Sequence, residues 1–183
     1  MSLNHLVRRR RLTLTAAGLL ALVAGFGTAA TPAHAAAGTT VCTGASSITY
    51  SPGLTTTPRL STYAETDSYT CTSTDATLTS GSIPSGSYTT TLSCLNPLTT
   101  GAFDYTVDWN NGQSTTFAVT STETIALGIM TFTAVGTAVS GEFTGATATI
   151  VWAYTVPNPL ACLTSTGITG QSGTIIATII GTS

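Results

Sequence analysis

Apolar and polar side chains alternate most clearly over residues 103–119. Phe103, Tyr105, Val107 and Trp109 share one parity, and Asp104, Thr106 and Asp108 the other. Successive side chains of a strand point to opposite faces, so this pattern predicts one dry and one wet face. The return segment alternates too, with Phe117 and Val119 apolar. Two registers compete. A turn made of Asn111-Gly112 sets Val107 opposite Thr116 and leaves Phe117 and Val119 among the aspartates. A loop made of Asn110-Asn111-Gly112 sets Tyr105 opposite Phe117 and Phe103 opposite Val119. All four then share a face, and Gly112 takes the left-handed position of a bulged turn. The second register is the one expected.

Similar patterning predicts strands over 39–50, 59–71, a short 75–79, 88–94, 129–139, 146–156 and 173–180. In 146–156, Ile150, Trp152, Tyr154 and Val156 fall on one face. Ser51-Pro52-Gly53, the segment 80–86, Asn96-Pro97 and Pro157-Asn158-Pro159 punctuate them. No segment has a helical period, and no repeat of fixed length appears. About nine short strands with turns between them predict an all-β, antiparallel fold, an immunoglobulin-like or related β-sandwich.

The amino terminus lies outside this pattern. Four arginines at 8–11 precede an uncharged, mostly apolar run at 12–26, and Ala33-His34-Ala35 follows Pro32. A basic region, an apolar region and a small-x-small site make a secretory signal. The apolar run is shorter than the roughly 20 residues of a membrane span. An uncleaved anchor is the alternative. Cleavage is expected after Ala35 or Ala36, by the general or the twin-arginine route. The expected organisation is a signal peptide at 1–36 and a single β domain at 37–183, located outside the cell.

Removing 1–36 changes the charge. The whole chain has a net charge of −2. The remainder has no histidine, no lysine and one arginine, Arg59, against seven acids, a net −6. Its threonine and serine content would also suit a disordered stalk. The apolar alternation and the aromatics favour a folded domain, whose wet faces carry β-branched threonine in place of charge.

The missing residues exclude much chemistry. Without histidine there is no Ser-His-Asp or Cys-His unit, and without lysine no Schiff base. One arginine does not neutralise a nucleic-acid backbone. No Gly-rich phosphate motif precedes a helix, and no cofactor is expected. Carboxylates remain. Asp104 and Asp108 share a face, but at about 3.3 Å per residue they lie about 13 Å apart. Glu65 and Asp67 sit side by side on one strand and do not face each other across a substrate. All are expected to be solvated acids on wet faces, with no catalytic residue among them. Asp108 to Gly112 has a faint calcium-loop look but lacks the later acidic ligands, so it reads as a turn, and no metal is expected. Trp109 and Trp152 fall on apolar parities and are expected in the core, not as a sugar platform. The Thr70/Thr72/Thr74 and Thr120/Thr122/Thr124 runs read as strand surface, without the regular array an ice-binding ladder needs.

Cys42, Cys71, Cys94 and Cys162 show no C-x-x-C spacing and have no histidine to join them, which argues against zinc. An even number in an exported domain implies disulfides. Three connectivities are possible. Cys42–Cys71 with Cys94–Cys162 is favoured, because the first two lie at or near strand ends in the amino-terminal part.

The signal, the VCTG start, the SPGL turn, the WNNGQST hairpin, the GEFTGATAT strand and the ACLTSTG tail span most of 37–183. In these the chain resembles a family of secreted, Thr/Gly-rich actinomycete proteins without assigned function. The resemblance implies an exported β-sandwich and supplies no site residues. The expected function is a non-enzymatic module of the envelope or extracellular space that binds cell-wall glycan or protein, or has a structural role. The alternative is a carboxylate-based hydrolase of extracellular polysaccharide.

Overall fold

The computed structural model describes residues 38–84 and 86–181. The expected signal segment and its cleavage point lie outside the described residues. Nine strands and one short helix follow in order: β1 (Thr39–Leu54), β2 (Arg59–Ser73), β3 (Ser80–Ser82), β4 (Gly86–Leu92), β5 (Gly101–Trp109), β6 (Ser114–Ala126), β7 (Ile129–Gly141), β8 (Thr147–Thr155), α1 (Pro159–Cys162) and β9 (Ile168–Ile180).

The all-β, antiparallel expectation holds, but the immunoglobulin-like β-sandwich does not. Neighbouring strands run β1-β9-β8-β7-β6-β5-β3-β2, and β2 then pairs with β1 from Thr40 opposite Ser73 to Ser51 opposite Thr62. That last ladder joins the two edges. The domain is a closed antiparallel barrel of eight strands, with β4 as an extra strand on β2. Alternation says only that each strand has one dry face, and that is equally true of two facing sheets and of one sheet rolled around its own core. Several strands run 13–16 residues, long enough for sheet twist to curl the edges together.

The inward parity carries the core. Ile48, Phe117, Met130, Ile150, Tyr154 and Ile175 are all buried. The outward parity is threonine-rich and free of charge over most of the circumference. One row around the barrel reads Thr122, Thr133, Val151, Ile176, Thr43, Thr70.

The hairpin adopts the expected register, with Tyr105 opposite Phe117 and Phe103 opposite Val119. The Trp109 amide donates to the Gln113 carbonyl at 2.8 Å, and Gly112 sits at φ 81°. The strand expected at 75–79 is instead a turn. Asp75 Oδ1 accepts from the Thr77 amide at 2.9 Å and the Thr77 hydroxyl at 2.8 Å. Such local bonds draw the backbone out of the ladder. Pairing moves to Ser80–Ser82, within the segment expected as a loop. There Trp109 lies opposite Gly81, where an added Cβ would come within 2.6 Å of the indole.

The disulfides are Cys42–Cys71 and Cys94–Cys162, the favoured pairing, and no cysteine is free. The first joins residues directly opposite in β1 and β2. The second ties the end of β4 to α1. Around it the Cys94 amide donates to the Thr55 carbonyl at 2.9 Å, and the Thr56 amide to the Cys162 carbonyl at 3.3 Å. Both bonds are compatible with an extracellular location.

Candidate functional site: a cavity in the barrel wall

The barrel is closed unevenly. Strand β3 is the only bridge between β2 and β5 among the described residues, and it meets β5 at two positions, Gly81 opposite Trp109 and Ser82 opposite Asp108. Beyond it, β2 from Arg59 to Glu65 turns its ladder to β4, not β5. The rest of β5 pairs with β6 alone. The wall therefore parts between β4 and the first half of β5.

A cavity of about 590 Å³ fills this gap and reaches the barrel interior. Tyr63, Tyr105, Phe132 and Trp152 line it, and Tyr88 and Phe103 stand at the rim. The rim rings are the solvent-exposed ones, at 69% and 39%. Tyr63 and Tyr88 pack with ring centroids 6.2 Å apart. Glu65 also lines the cavity, and Asp104 lies at its edge.

Behind Glu65 is a buried polar cluster. Asp67 is fully buried. Its Oδ2 accepts from the Tyr105 hydroxyl at 2.6 Å and from Trp152 Nε1 at 3.0 Å. With its one proton given to Asp67, Tyr105 in turn accepts from the Tyr69 hydroxyl. Asp67 Oδ1 is buried and has no partner. Glu65 Oε1 accepts from the Tyr154 hydroxyl at 3.1 Å and, more weakly, from Ser46 at 3.4 Å. Ser46 also contacts the Tyr154 hydroxyl at 2.6 Å.

Two acids side by side, one buried and one half-buried, oppose ionisation. Burial, then the neighbouring Asp67 carboxylate, push Glu65 up to about 7, against the opposing hydrogen bonds from Tyr154 and Ser46. Burial pushes Asp67 upward as well, against the bonds that favour its charged form. Burial likewise raises the hydroxyls of Tyr50, Tyr69, Tyr105 and Tyr154, which stay neutral donors near pH 7. The sole arginine among the described residues gives no help. Arg59 donates to the carbonyls of Gly53 and Thr166, and it stands six residues from Glu65, about 20 Å along the strand.

The expectation that the acids are solvated therefore fails for Glu65 and Asp67. Parity is the signal that finds them. Tyr63, Glu65, Asp67, Tyr69 and Cys71 all share one face of β2, so the acids lie with the apolar set. Asp104 and Asp108 do point outward. Asp75 is exposed, and its hydrogen bonds from Thr77 hold its carboxyl below the usual range. Glu142 accepts from Asn111 Nδ2 at 2.9 Å. Both tryptophans are buried, as expected. Trp109 is structural: its Nε1 donates to Thr115 at 2.9 Å and its ring meets Phe143 edge-on. Trp152 is core and site together, packed edge-on against Tyr105 at 5.4 Å. Among the described residues no three His, Cys, Asp or Glu side chains gather as a metal site. No helix among them is long and apolar enough to cross a membrane.

Fold and site together define an eight-stranded barrel with a lateral, aromatic-lined cavity beside the half-buried Glu65 and the buried Asp67. No family model, curated protein or solved structure matches the chain.

Proposed function

We propose that the protein is an exported, non-enzymatic binding protein that takes a small molecule into the lateral cavity of its barrel. The observation that carries this is the cavity itself, about 590 Å³ and lined by aromatic rings, with Glu65 as the acid within reach. Small-molecule sites have this size and this mixture of apolar wall and few polar groups. The disulfides and the resemblance to secreted actinomycete proteins support the export. A glycan platform is less well supported, because the exposed aromatics, Tyr88 and Phe103, stand at the cavity rim and form no separate strip. The hydrolase reading is also weaker. Glycosidic cleavage needs two carboxyl groups on either side of the bond. Asp67 is instead sealed behind Tyr105 and Trp152, on the same strand as Glu65.

The test follows Trp152 emission while the purified protein is titrated with a panel of neutral and charged aromatic molecules. Gly86 lines the cavity, and an added Cβ there meets nothing within 4 Å. Gly86→Leu therefore narrows the cavity from a position where a Cβ has open space. Saturable binding that Gly86→Leu weakens supports the reading. Release of reducing sugar from a polysaccharide, abolished by Glu65→Gln, defeats it in favour of the hydrolase.

A further inference from the structure

We propose that the cavity selects an organic cation, a small molecule whose ammonium group sits against Glu65 among the aromatic rings. This rests on the binding reading above and adds the class of ligand.

Four observations converge. First, both protein hydrogen bonds to Glu65 fall on Oε1, which leaves Oε2 free for a ligand among the described residues. Second, the surroundings of Glu65 hold acids and neutral phenols but no base. Its own strand contributes Asp67 and Tyr63, β1 contributes Tyr50, β8 contributes Tyr154 and β5 contributes Tyr105 and the rim acid Asp104. Third, the buried Asp67 behind it has an oxygen with no partner. The site is thus negative and lacks a counter-charge. Fourth, Tyr63, Phe132 and Trp152 line the same cavity as Glu65, and aromatic rings attract ammonium groups through their quadrupoles. An anion would meet Glu65 and Asp104. A neutral ligand would pair with neither carboxylate and would gain nothing from the acidic surroundings.

In the empty cavity a proton supplies the missing positive charge, since Glu65 titrates at about 7. A bound cation replaces it, so binding releases a proton and strengthens as pH rises through that value. The tyrosine hydroxyls titrate far above this range and do not compete. The rim acid Asp104 adds attraction at long range.

The experiment compares phenyltrimethylammonium with its uncharged isostere tert-butylbenzene. Neither ligand titrates, so any pH dependence belongs to the protein. At about pH 8 the cation is expected to bind at least ~10-fold more tightly. Below pH 7 its affinity should fall about tenfold per unit, and calorimetry in buffers of different ionisation enthalpy should show proton release. Glu65→Gln should bring the two ligands together and flatten the profile. Equal binding of both ligands overturns the cation assignment and leaves the cavity reading standing. Binding of neither overturns both. Should Glu65→Gln not fold, the pH profile and proton release of the unaltered protein decide, and a flat profile with no release refutes the proposal.

Discussion

The buried acid pair makes the folded protein less stable as the pH rises, and Glu65→Gln should remove much of that effect. In the unfolded chain Glu65 titrates at its ordinary value near 4.5, and in the barrel at about 7. Between these values the native state holds a proton that the unfolded state has lost. Stability therefore falls with increasing pH across this window, and it is greatest below 4.5. A shift of this size corresponds to a cost on the order of 3 kcal/mol above pH 7. Asp67, raised by burial, acts in the same direction. Asp75, whose carboxyl is held low, acts in the opposite sense: its contribution is present above its unfolded value and fades as pH falls below it. Glutamine keeps the shape of Glu65 and carries no charge. Glu65→Gln should thus be near neutral at about pH 4.5 and stabilising by on the order of 3 kcal/mol at about pH 8, or roughly 6–12 °C in melting temperature for a domain of this size. Thermal and urea unfolding of both proteins at several pH values would measure it. A stability that rises from about pH 5 to pH 8, or a Glu65→Gln effect equal at both ends, would show that Glu65 is not held protonated and that the account of the site is wrong.

Three other outcomes are expected. Tyr105→Phe removes one of the two donors to Asp67 Oδ2 and should cost about 1–3 kcal/mol in urea unfolding at pH 7; a loss below about 0.5 kcal/mol would mean that the bond does not support Asp67. Gly112→Ala places a side chain at φ 81°, and should cost on the order of 1 kcal/mol with no change of register; an unchanged stability would count against the bulged turn. Replacing Cys94 and Cys162 together by serine opens a bond that spans 68 residues and should cost about 2–4 kcal/mol. Because that bond pins the end of β4, hydrogen exchange should quicken first over 86–100, beside the cavity, while the β6–β9 ladders stay protected; uniform loss of protection would show that β4 is no separate unit.

The electrostatics of the inside and outside of the barrel are consistent with one another. The outer rows of threonine, valine and isoleucine dispense with charge because the sheet needs only β-branched residues that tolerate water. What charge the interior has is concentrated where the wall opens. Arg59 is committed to backbone carbonyls near the β1–β2 turn. The acid pair is therefore left to whatever enters the cavity, whether a proton or a cation.

Residues near each other in sequence were readable from it. The register of β5 against β6 followed from parity, because a slip by one residue would have put Phe117 and Val119 in water. The positive φ of Gly112 followed from the same loop. The paired cysteines were readable from number and context. Most strands were readable because alternation is a local property, and the exception at 75–79 came from a local competitor, the Asp75 side chain. Even the inward placement of Glu65 and Asp67 was written in the parity of Tyr63, Tyr69 and Cys71, although composition argued for exposed acids. Closure was not readable. The ladder that turns a sheet into a barrel joins β1 to β2, and the same inward-outward pattern would serve a sandwich equally well. Nor was the cavity, since it exists because β3 reaches β5 at only two positions while β4 draws the other half of β2 away. Those are hydrogen bonds between distant segments, set by strand twist, length and the edges left to pair. Only the folded chain brings Glu65, Tyr154, Tyr105 and Trp152 around one space, and it is that space, not any single residue type, that gives the acid pair its shifted proton.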